Sequence, residues 1–306
     1  VTGPAEGARR APPAEVLRQV RRLELTARGL VNAAFAGEYR SVFTGQGMEF
    51  AEVREYQAGD EVRAIDWNVT ARMGRPFTRR YVEERERTVM VAVDASASAR
   101  FATAGRFKSE LAAEFAAVVA LCAIRSNDRV GGLLFTDRIE HLVPPAKGRR
   151  HVLRLVRDLM AIEPAGRGTD VGMALDALTG LATHRAIVFV VSDFASPGFE
   201  GALARLAQRH DAIAVPVDDP AERLLPDAGL VRFVDPEDGT LVEVDTSDPT
   251  LREAYAEAAC ERREARSAAF RRAGVEEIPL RTDRGYAREL LSFFRRRAGR
   301  RGGRKP

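Results

Sequence analysis

Residues 89–100, VMVAVDASASAR, bring an unbroken apolar run to an end in one acid and two hydroxyls: Asp94, Ser96 and Ser98, spaced two apart. A second apolar run, AIVFVV at 186–191, stops two residues short of Asp193. Thr169 lies in a third polar stretch, GRGTDVGMAL, just ahead of apolar residues at helical spacing. Two carboxylates and three hydroxyls, with no imidazole or thiolate among them, form an all-oxygen donor set. Such donors suit a hard cation, Mg²⁺ or Mn²⁺, which prefers octahedral oxygen coordination and retains several waters. The same residue types also cap helices, Asp94 and Ser96 for the helix that follows them and Thr169 for its own. Spacing alone leaves both roles open.

For the two acids to share a site, the runs that carry them must be neighbouring strands. Buried-strand candidates are 88–93, 130–135 (VGGLLF), 186–191, 212–217 (AIAVPV) and, more weakly, 275–280. Between them apolar residues recur at helical spacing: Phe107, Leu111, Phe115, Val118, Val119 and Cys122; then Val152, Leu155, Val156 and Leu159; then Leu175, Leu178 and Leu181; then Phe199, Leu203 and Leu206. Continuous apolar strands alternating with amphipathic helices predict an α/β fold, a doubly wound, mostly parallel sheet covered on both faces. In such sheets ligands bind beyond the carboxyl ends of the strands, where strand order reverses. Residues 230–244 predict a hairpin turning at Asp238-Gly239. The pattern from Glu15 to Asn32 predicts a helix after a polar, proline-containing start. The organisation expected is therefore 1–37, a polar N-terminus and helix; 38–86, a small β-rich domain; 87–294, the α/β domain; and 295–306, a basic tail.

With 306 residues, 45% of them apolar and 30% charged, the chain has the composition of a globular protein with a full core. No apolar run is long enough to span a bilayer, the start lacks the apolar segment of a signal peptide, and a cytoplasmic location is expected. The two cysteines, Cys122 and Cys260, are far apart and in no metal-binding spacing. The net charge of +4 comes from the tail: RRRAGRRGGRKP carries seven positive charges, which leaves the rest of the chain at −3. The composition thus argues against a general nucleic-acid binder. There are three lysines, Lys108, Lys147 and Lys305, against 45 arginines.

Taken together, Asp94-x-Ser96-x-Ser98, Thr169-x-x-Gly172-x-Ala174-Leu175 and Asp193 after its apolar strand resemble the three metal-ion-dependent adhesion-site segments of von Willebrand factor A domains. The resemblance covers residues 86–297. It implies that Ser96, Ser98 and Thr169 contact a cation directly, that Asp94 and Asp193 act mainly through waters, and that an acidic side chain of a partner completes the coordination. Phe194 departs from the pattern, which often has glycine there.

The segment GQGMEFAEVREYQAGDEVRAIDWNVTARMGRPFTRRYVEE (45–84) resembles the signature of a bacterial family called domain of unknown function, number fifty-eight. The matching residues are Glu49-Phe50, Arg54, Tyr56, Gly59-Asp60, Arg63, Ile65-Asp66-Trp67 and Ala71-Arg72. That resemblance implies a von Willebrand A domain after the segment and a MoxR-type AAA+ ATPase as working partner. Within it, Asp60, Arg63, Asp66 and Arg72 are expected to form a structural ion network, with Trp67 anchoring the segment on the core.

The function expected is a non-enzymatic, divalent-cation-dependent adaptor that joins a MoxR-type ATPase to a client protein, with no small-molecule substrate and no membrane span. The alternatives are an Mg²⁺-dependent phosphatase-like hydrolase and attachment to nucleic acid or a membrane surface through the arginine-rich tail. A phosphatase of the haloacid dehalogenase kind needs a second acid where Ser96 stands. No phosphate-binding G-x-x-x-x-G-K-[ST] loop is present, since Lys108-Ser109 follows Phe107. The four histidines fall in no catalytic spacing.

Overall fold

The computed structural model of the chain describes residues 36–302, apart from 44–47, 58, 84–85, 104, 182–183 and 236–238, with a few isolated positions before residue 36. The helix expected over Glu15–Asn32 lies, but for those positions, outside the described residues, as do Asp238 of the expected turn and residues 303–306 of the tail.

A short helix, α1 (Ala36–Val42), precedes strand β1 (Met48–Glu55), helix α2 (Trp67–Met73) and strand β2 (Phe77–Glu83). The α/β part then runs β3 (Thr88–Asp94), α3 (Lys108–Arg125), β4 (Arg129–Phe135), β5 (Ile139–Ala146), α4 (Arg149–Ala161), α5 (Val171–Leu181), β6 (Ile187–Ser192), α6 (Glu200–Arg209) and β7 (Asp211–Asp218). After a hairpin, β8 (Leu230–Val234) and β9 (Leu241–Asp245), come α7 (Pro249–Arg272), two short strands, β10 (Glu276–Glu277) and β11 (Leu280–Arg281), and α8 (Ala287–Gly302).

The main sheet has the order β10-β7-β6-β3-β4-β5, with β11 also paired to β7. Every pairing is parallel except that of the edge strand β5 with β4. This is the doubly wound sheet expected. Successive side chains of β3 serve the two faces in turn: Val89, Val91 and Val93 join the core under α3 and α4, while Met90 and Ala92 join the core under α5 and α6. Gly131 and Gly132 in β4 keep these layers close. A Cβ on Gly131 would stand 2.6 Å from Met90 Sδ, and one on Gly132 would overlap the Leu155 side chain. Helix α3 is buried along most of its length. Its Cys122 is the small buried thiol expected, its pKa pushed up to about 12 by burial. No helix among the described residues is long and apolar enough to cross a membrane.

Besides the short helices α1 and α2, strand β5 and helix α7 were not anticipated. Strand β5 contains Pro144 and Pro145, tolerated because an edge strand has no second neighbour needing their missing donors. Helix α7 is long but buries only Ala259, Ala269 and Phe270, too few to give a periodic apolar signal.

The segment around β1 and β2 is an antiparallel ribbon closed over α2, and none of its described apolar side chains is buried. The expected network of Asp60, Arg63, Asp66 and Arg72 does not form there. Asp60 instead pairs with Arg54 at 2.6 Å and accepts the Gln57 N–H at 2.9 Å. Asp66 caps α2, its Oδ1 accepting from the Asn68 and Val69 N–H groups at 3.1 and 3.2 Å. Arg63 and Arg72 are exposed. The strand presents Arg54 to the turn and the helix start claims Asp66, so the charges nearest in sequence are not the ones that pair. Trp67 is 67% exposed and anchors nothing. Accordingly, Asp66→Ala should cost about 1 kcal/mol, the loss of a helix cap. Arg63→Ala should stay within roughly 0.5 kcal/mol of wild type. Urea titrations of both variants check this.

For the basic stretch 295–306 the sequence allows a solvated tail or the end of a helix carrying Tyr286, Leu290 and Phe294, and through Gly302 it is the second. Helix α8 continues through it to Gly302, carrying Phe293 and Phe294 into the core. The Arg297 guanidinium lies 5.0 Å from the Phe43 ring centroid and 5.6 Å from that of Phe293, and it pairs with Asp211 and, at 3.5 Å, with Glu276. Arg300 pairs with Glu276 at 2.8 Å and Arg295 with Glu38 at 3.4 Å. Arg297 is held inside the fold, whereas Arg295 and Arg300 pair at its surface. Tyr39, Val42 and Phe43, just after the expected boundary at 37/38, join this core, and Ala36 just before it packs against it.

Candidate metal centre

Strand order reverses between β3 and β6, with Val89 opposite Ile187 and Val93 opposite Val191. Asp94 and Asp193 therefore leave adjacent strands at nearly the same level, at the point where an open α/β sheet offers a crevice. Beyond Asp94 the chain enters a short 3-10 turn, Ala97–Arg100, which turns both serine hydroxyls back toward the strand ends. Ser96 Oγ and Ser98 Oγ are hydrogen-bonded at 2.9 Å, and Ser98 Oγ donates to Asp193 Oδ2 at 3.3 Å. Asp94 Oδ1 accepts the Ser96 N–H at 2.9 Å, and Asp94 Oδ2 accepts from Ser192 Oγ at 2.6 Å. Four of the five candidate residues thus belong to one hydrogen-bonded set. Thr169, half-buried, stands in the loop before α5, which is tied to the same turn where the Ala97 N–H donates to the Arg167 carbonyl at 3.3 Å.

The capping alternative fails for Ser96. Ser96 makes no side-chain capping bond, and the Met173 N–H at the start of α5 is capped by Asp170 Oδ1 at 2.8 Å. The Ser98 hydroxyl faces Asp193.

Three residues that sequence reasoning missed complete the site. Lys108, the first residue of α3, is 3% exposed, and its Nζ donates to Asp193 Oδ2 at 2.8 Å and to Glu222 Oε1 at 2.6 Å. Glu222 is held in turn by the Asp219 N–H at 2.8 Å. Ser192 links the strands, donating to Asp94 and accepting the Phe194 N–H at 3.1 Å. The available signal was compositional: a lysine retained in so arginine-rich a chain supplies a compact point charge where a planar fork would not fit.

Charge in this crevice is unbalanced, with Asp94, Asp193 and Glu222 facing the single ammonium of Lys108. Burial, and then the charge of Asp193, pushes Asp94 up to about 6. Burial acts on Asp193 in the same sense, but the charge and hydrogen bond of Lys108 outweigh it and hold that carboxyl below its ordinary value. Glu222, bonded to the same ammonium, ends above its ordinary value because burial dominates. For Lys108 burial favours the neutral amine, yet the two acids overcome it and its pKa is raised.

Phe194 has φ 55°, the left-handed region that favours glycine and costs a bulky residue. Its ring compensates by packing on Phe270 and Phe199, with centroids 4.9 and 5.4 Å away, and is only 5% exposed. Phe194 therefore supports the site from beneath and supplies no exposed rim.

The residues present fit a hard cation. All the donors are oxygens, and the buried Asp94 carboxylate lacks a counter-charge of its own. Among the described residues no group of three or more His, Cys, Asp or Glu is placed to hold a metal, so a cation at this site would have to draw on the hydroxyls as donors. None of the histidines takes part; His210, for example, is a buried side chain satisfied by the Ala186 N–H and the Thr179 carbonyl.

A family model described as "Protein of unknown function DUF58" matches residues 52–265. An uncharacterised protein of Mycobacterium tuberculosis is 35% identical over 277 residues, covering 90% of this chain and 87% of the relative. The uncharacterised protein YeaD of Bacillus subtilis is 27% identical over 111 residues, 36% of this chain and 25% of that protein. Among solved structures, the conserved hypothetical protein BatB from Bacteroides thetaiotaomicron aligns with a TM-score of 0.47 at 17% identity, over 70% of this chain and 99% of that one. The VWA domain of SpRpn10 aligns with a TM-score of 0.39 at 10% identity, over 68% of this chain and 94% of that one.

Proposed function

The chain belongs to the DUF58 family, whose function is unknown, and from that premise we propose that it is a non-enzymatic adaptor that binds a protein partner through a divalent cation. The observation that carries this reading is the joining of Asp94, Ser96, Ser98 and Asp193 at adjacent strand ends, with more carboxylate than counter-charge. Asp94, Ser96, Ser98, Thr169 and Asp193 would hold Mg²⁺ or Mn²⁺. Bound there, the cation supplies an open coordination position for a carboxylate. The chain's own residues do the rest: Ser192 and the Ser96 N–H fix the Asp94 carboxylate, and Lys108 fixes Asp193. The partner proposed is a MoxR-type AAA+ ATPase, working with a client protein in maturation or complex assembly in the cytoplasm. Attachment through the tail is disfavoured in part by the burial of Arg297 against Asp211 and by the pairing of Arg295 and Arg300 with Glu38 and Glu276.

Calorimetry tests the cation. Mg²⁺ or Mn²⁺ is expected to bind the folded protein and raise its Tm by mass action, and Asp94→Ala should abolish both effects. Well-folded wild type that binds neither ion refutes the reading. The partner is tested by pull-down of a MoxR-type ATPase, expected to be lost with EDTA and with Asp193→Ala. Binding that ignores EDTA but disappears with salt would return the role to the arginines.

A further inference from the structure

Beyond Glu222, where β7 and β11 end, the surface opens into a cleft of about 720 Å³, lined by Leu224, Leu225 and Pro226 together with Arg223, Arg263 and Arg281. A recess of about 190 Å³ shares Arg223 and Arg263 with it and reaches Asp193 and Arg266, so the cleft continues toward the candidate metal centre. The cleft is poorly neutralised. Asp218 gives both oxygens to Arg266, at 2.8 and 3.0 Å, and stands 3.9 Å from Arg263. Arg281 is paired with Asp283 at 2.6 Å. Arg223 makes no ion pair or side-chain hydrogen bond among the described residues. Burial, followed by the charges of Arg263 and Arg281, lowers the basicity of its guanidinium. Like charges crowded together with too few counter-charges carry a free-energy cost that a bound anion relieves. Guanidinium forks match carboxylates in bidentate geometry. The apolar lining, with Leu224 67% exposed, offers burial that an isolated inorganic ion cannot use.

We propose that this cleft binds an acidic, partly apolar peptide segment of a protein partner, a carboxylate lying between Arg223 and Arg263 and an apolar neighbour against Leu224 and Leu225. This extends the adaptor reading and rests on it only for the partner being a protein, because the arginines require no cation. The acidic net charge of the body does not oppose such a partner here, since the cleft itself is basic.

Fluorescence anisotropy in EDTA at low salt provides the test. The probe is a short fluorescein-labelled peptide of alternating glutamate and leucine, with a glutamine-for-glutamate counterpart as control. The acidic peptide should bind about tenfold more tightly than the control. Arg223→Gln should cost about tenfold in its affinity with the thermal transition unmoved. Arg223→Lys, which keeps the charge and loses the fork, should fall between the two. Asp94→Ala should bind the peptide like wild type. Retained peptide binding in a protein that takes up no Mg²⁺ therefore supports the cleft even where the cation reading fails. Absence of binding, equal affinity for the two peptides, or an Arg223→Gln variant equal to wild type overturns the proposal. So does displacement by inorganic phosphate or oligothymidine at concentrations below those of unlabelled peptide, which would make the cleft a phosphate or nucleic-acid site.

Discussion

Lys108→Met is expected to be the most damaging single substitution at the strand ends, lowering stability at neutral pH in EDTA by about 3–5 kcal/mol. The ammonium is almost completely buried and holds two carboxylates at hydrogen-bond distance. Removing it leaves Asp193 and Glu222 without the ammonium that joins them, and an uncompensated buried charge costs far more than the pair itself contributes. Most of the loss is assigned to Asp193. Glu222 is about a third exposed and solvent screens it, so it adds less. Lys108→Arg should recover only part, since a fork does not fit where one point charge serves two acids. A divalent cation would then be the remaining neutraliser of Asp193, so Mg²⁺ should restore more stability to Lys108→Met than it adds to wild type. Urea titrations with EDTA or Mg²⁺ read both effects. A variant unfolding at the wild-type urea concentration would mean that Lys108 contributes no net electrostatic stabilisation.

Asp94→Asn should have the opposite sign. With burial and Asp193 lifting the folded pKa from 3.8 to about 6, the folded state binds a proton that the unfolded chain has already released. Below pH 3.8 both states are protonated and the group contributes nothing. Stability falls as pH rises from about 4 to about 6, and above that the full penalty is present. Two units at about 1.4 kcal/mol each set an upper bound near 3 kcal/mol. Asparagine does not ionise, and its amide oxygen can still accept the Ser96 N–H while Ser192 turns to accept from the amide nitrogen. In EDTA at pH 7.5 the variant should thus be about 1–3 kcal/mol more stable than wild type, while Mg²⁺ should no longer raise its Tm. Part of the acid-side slope should persist, because burial pushes Asp128 up to about 6 as well. A gain in stability coupled to loss of the cation response would mark Asp94 as a group kept for binding at the expense of folding. A destabilised variant would mark it as structural.

Much of this arrangement was legible in the sequence. The strands ending at Asp94 and Asp193 are apolar on both faces, a pattern only a covered sheet explains, and their adjacency follows from doubly wound topology. What was not legible depended on distant partners. Lys108 lies 85 residues from Asp193 and 114 from Glu222, and nothing near it in sequence reveals the acids it meets. Arg297 is 86 residues from Asp211, so a run of arginines reads as a solvated tail until the sheet edge is in place. The ion network around Gly59 failed for the converse reason. Proximity in sequence suggested pairs, whereas the ribbon brought Arg54 to Asp60 and the helix start claimed Asp66. Strand β5 was obscured by its prolines and α7 by its exposed, charged surface.

The closing of the core by α1 and α8 has a consequence for how the protein is made. Tyr39 and Phe43 stack edge-on against Phe294, at 6.1 and 6.0 Å, and Arg297 covers Phe43. Synthesis runs from one end, so the early aromatics leave the ribosome long before the late ones that bury them. The outer edge of β7 must likewise wait for β10 and β11. During that interval the nascent chain carries an uncovered aromatic cluster and an open strand edge, surfaces that holding chaperones recognise and that promote aggregation in their absence. Final locking of the fold therefore waits until the Phe293-Phe294 turn has cleared the exit tunnel.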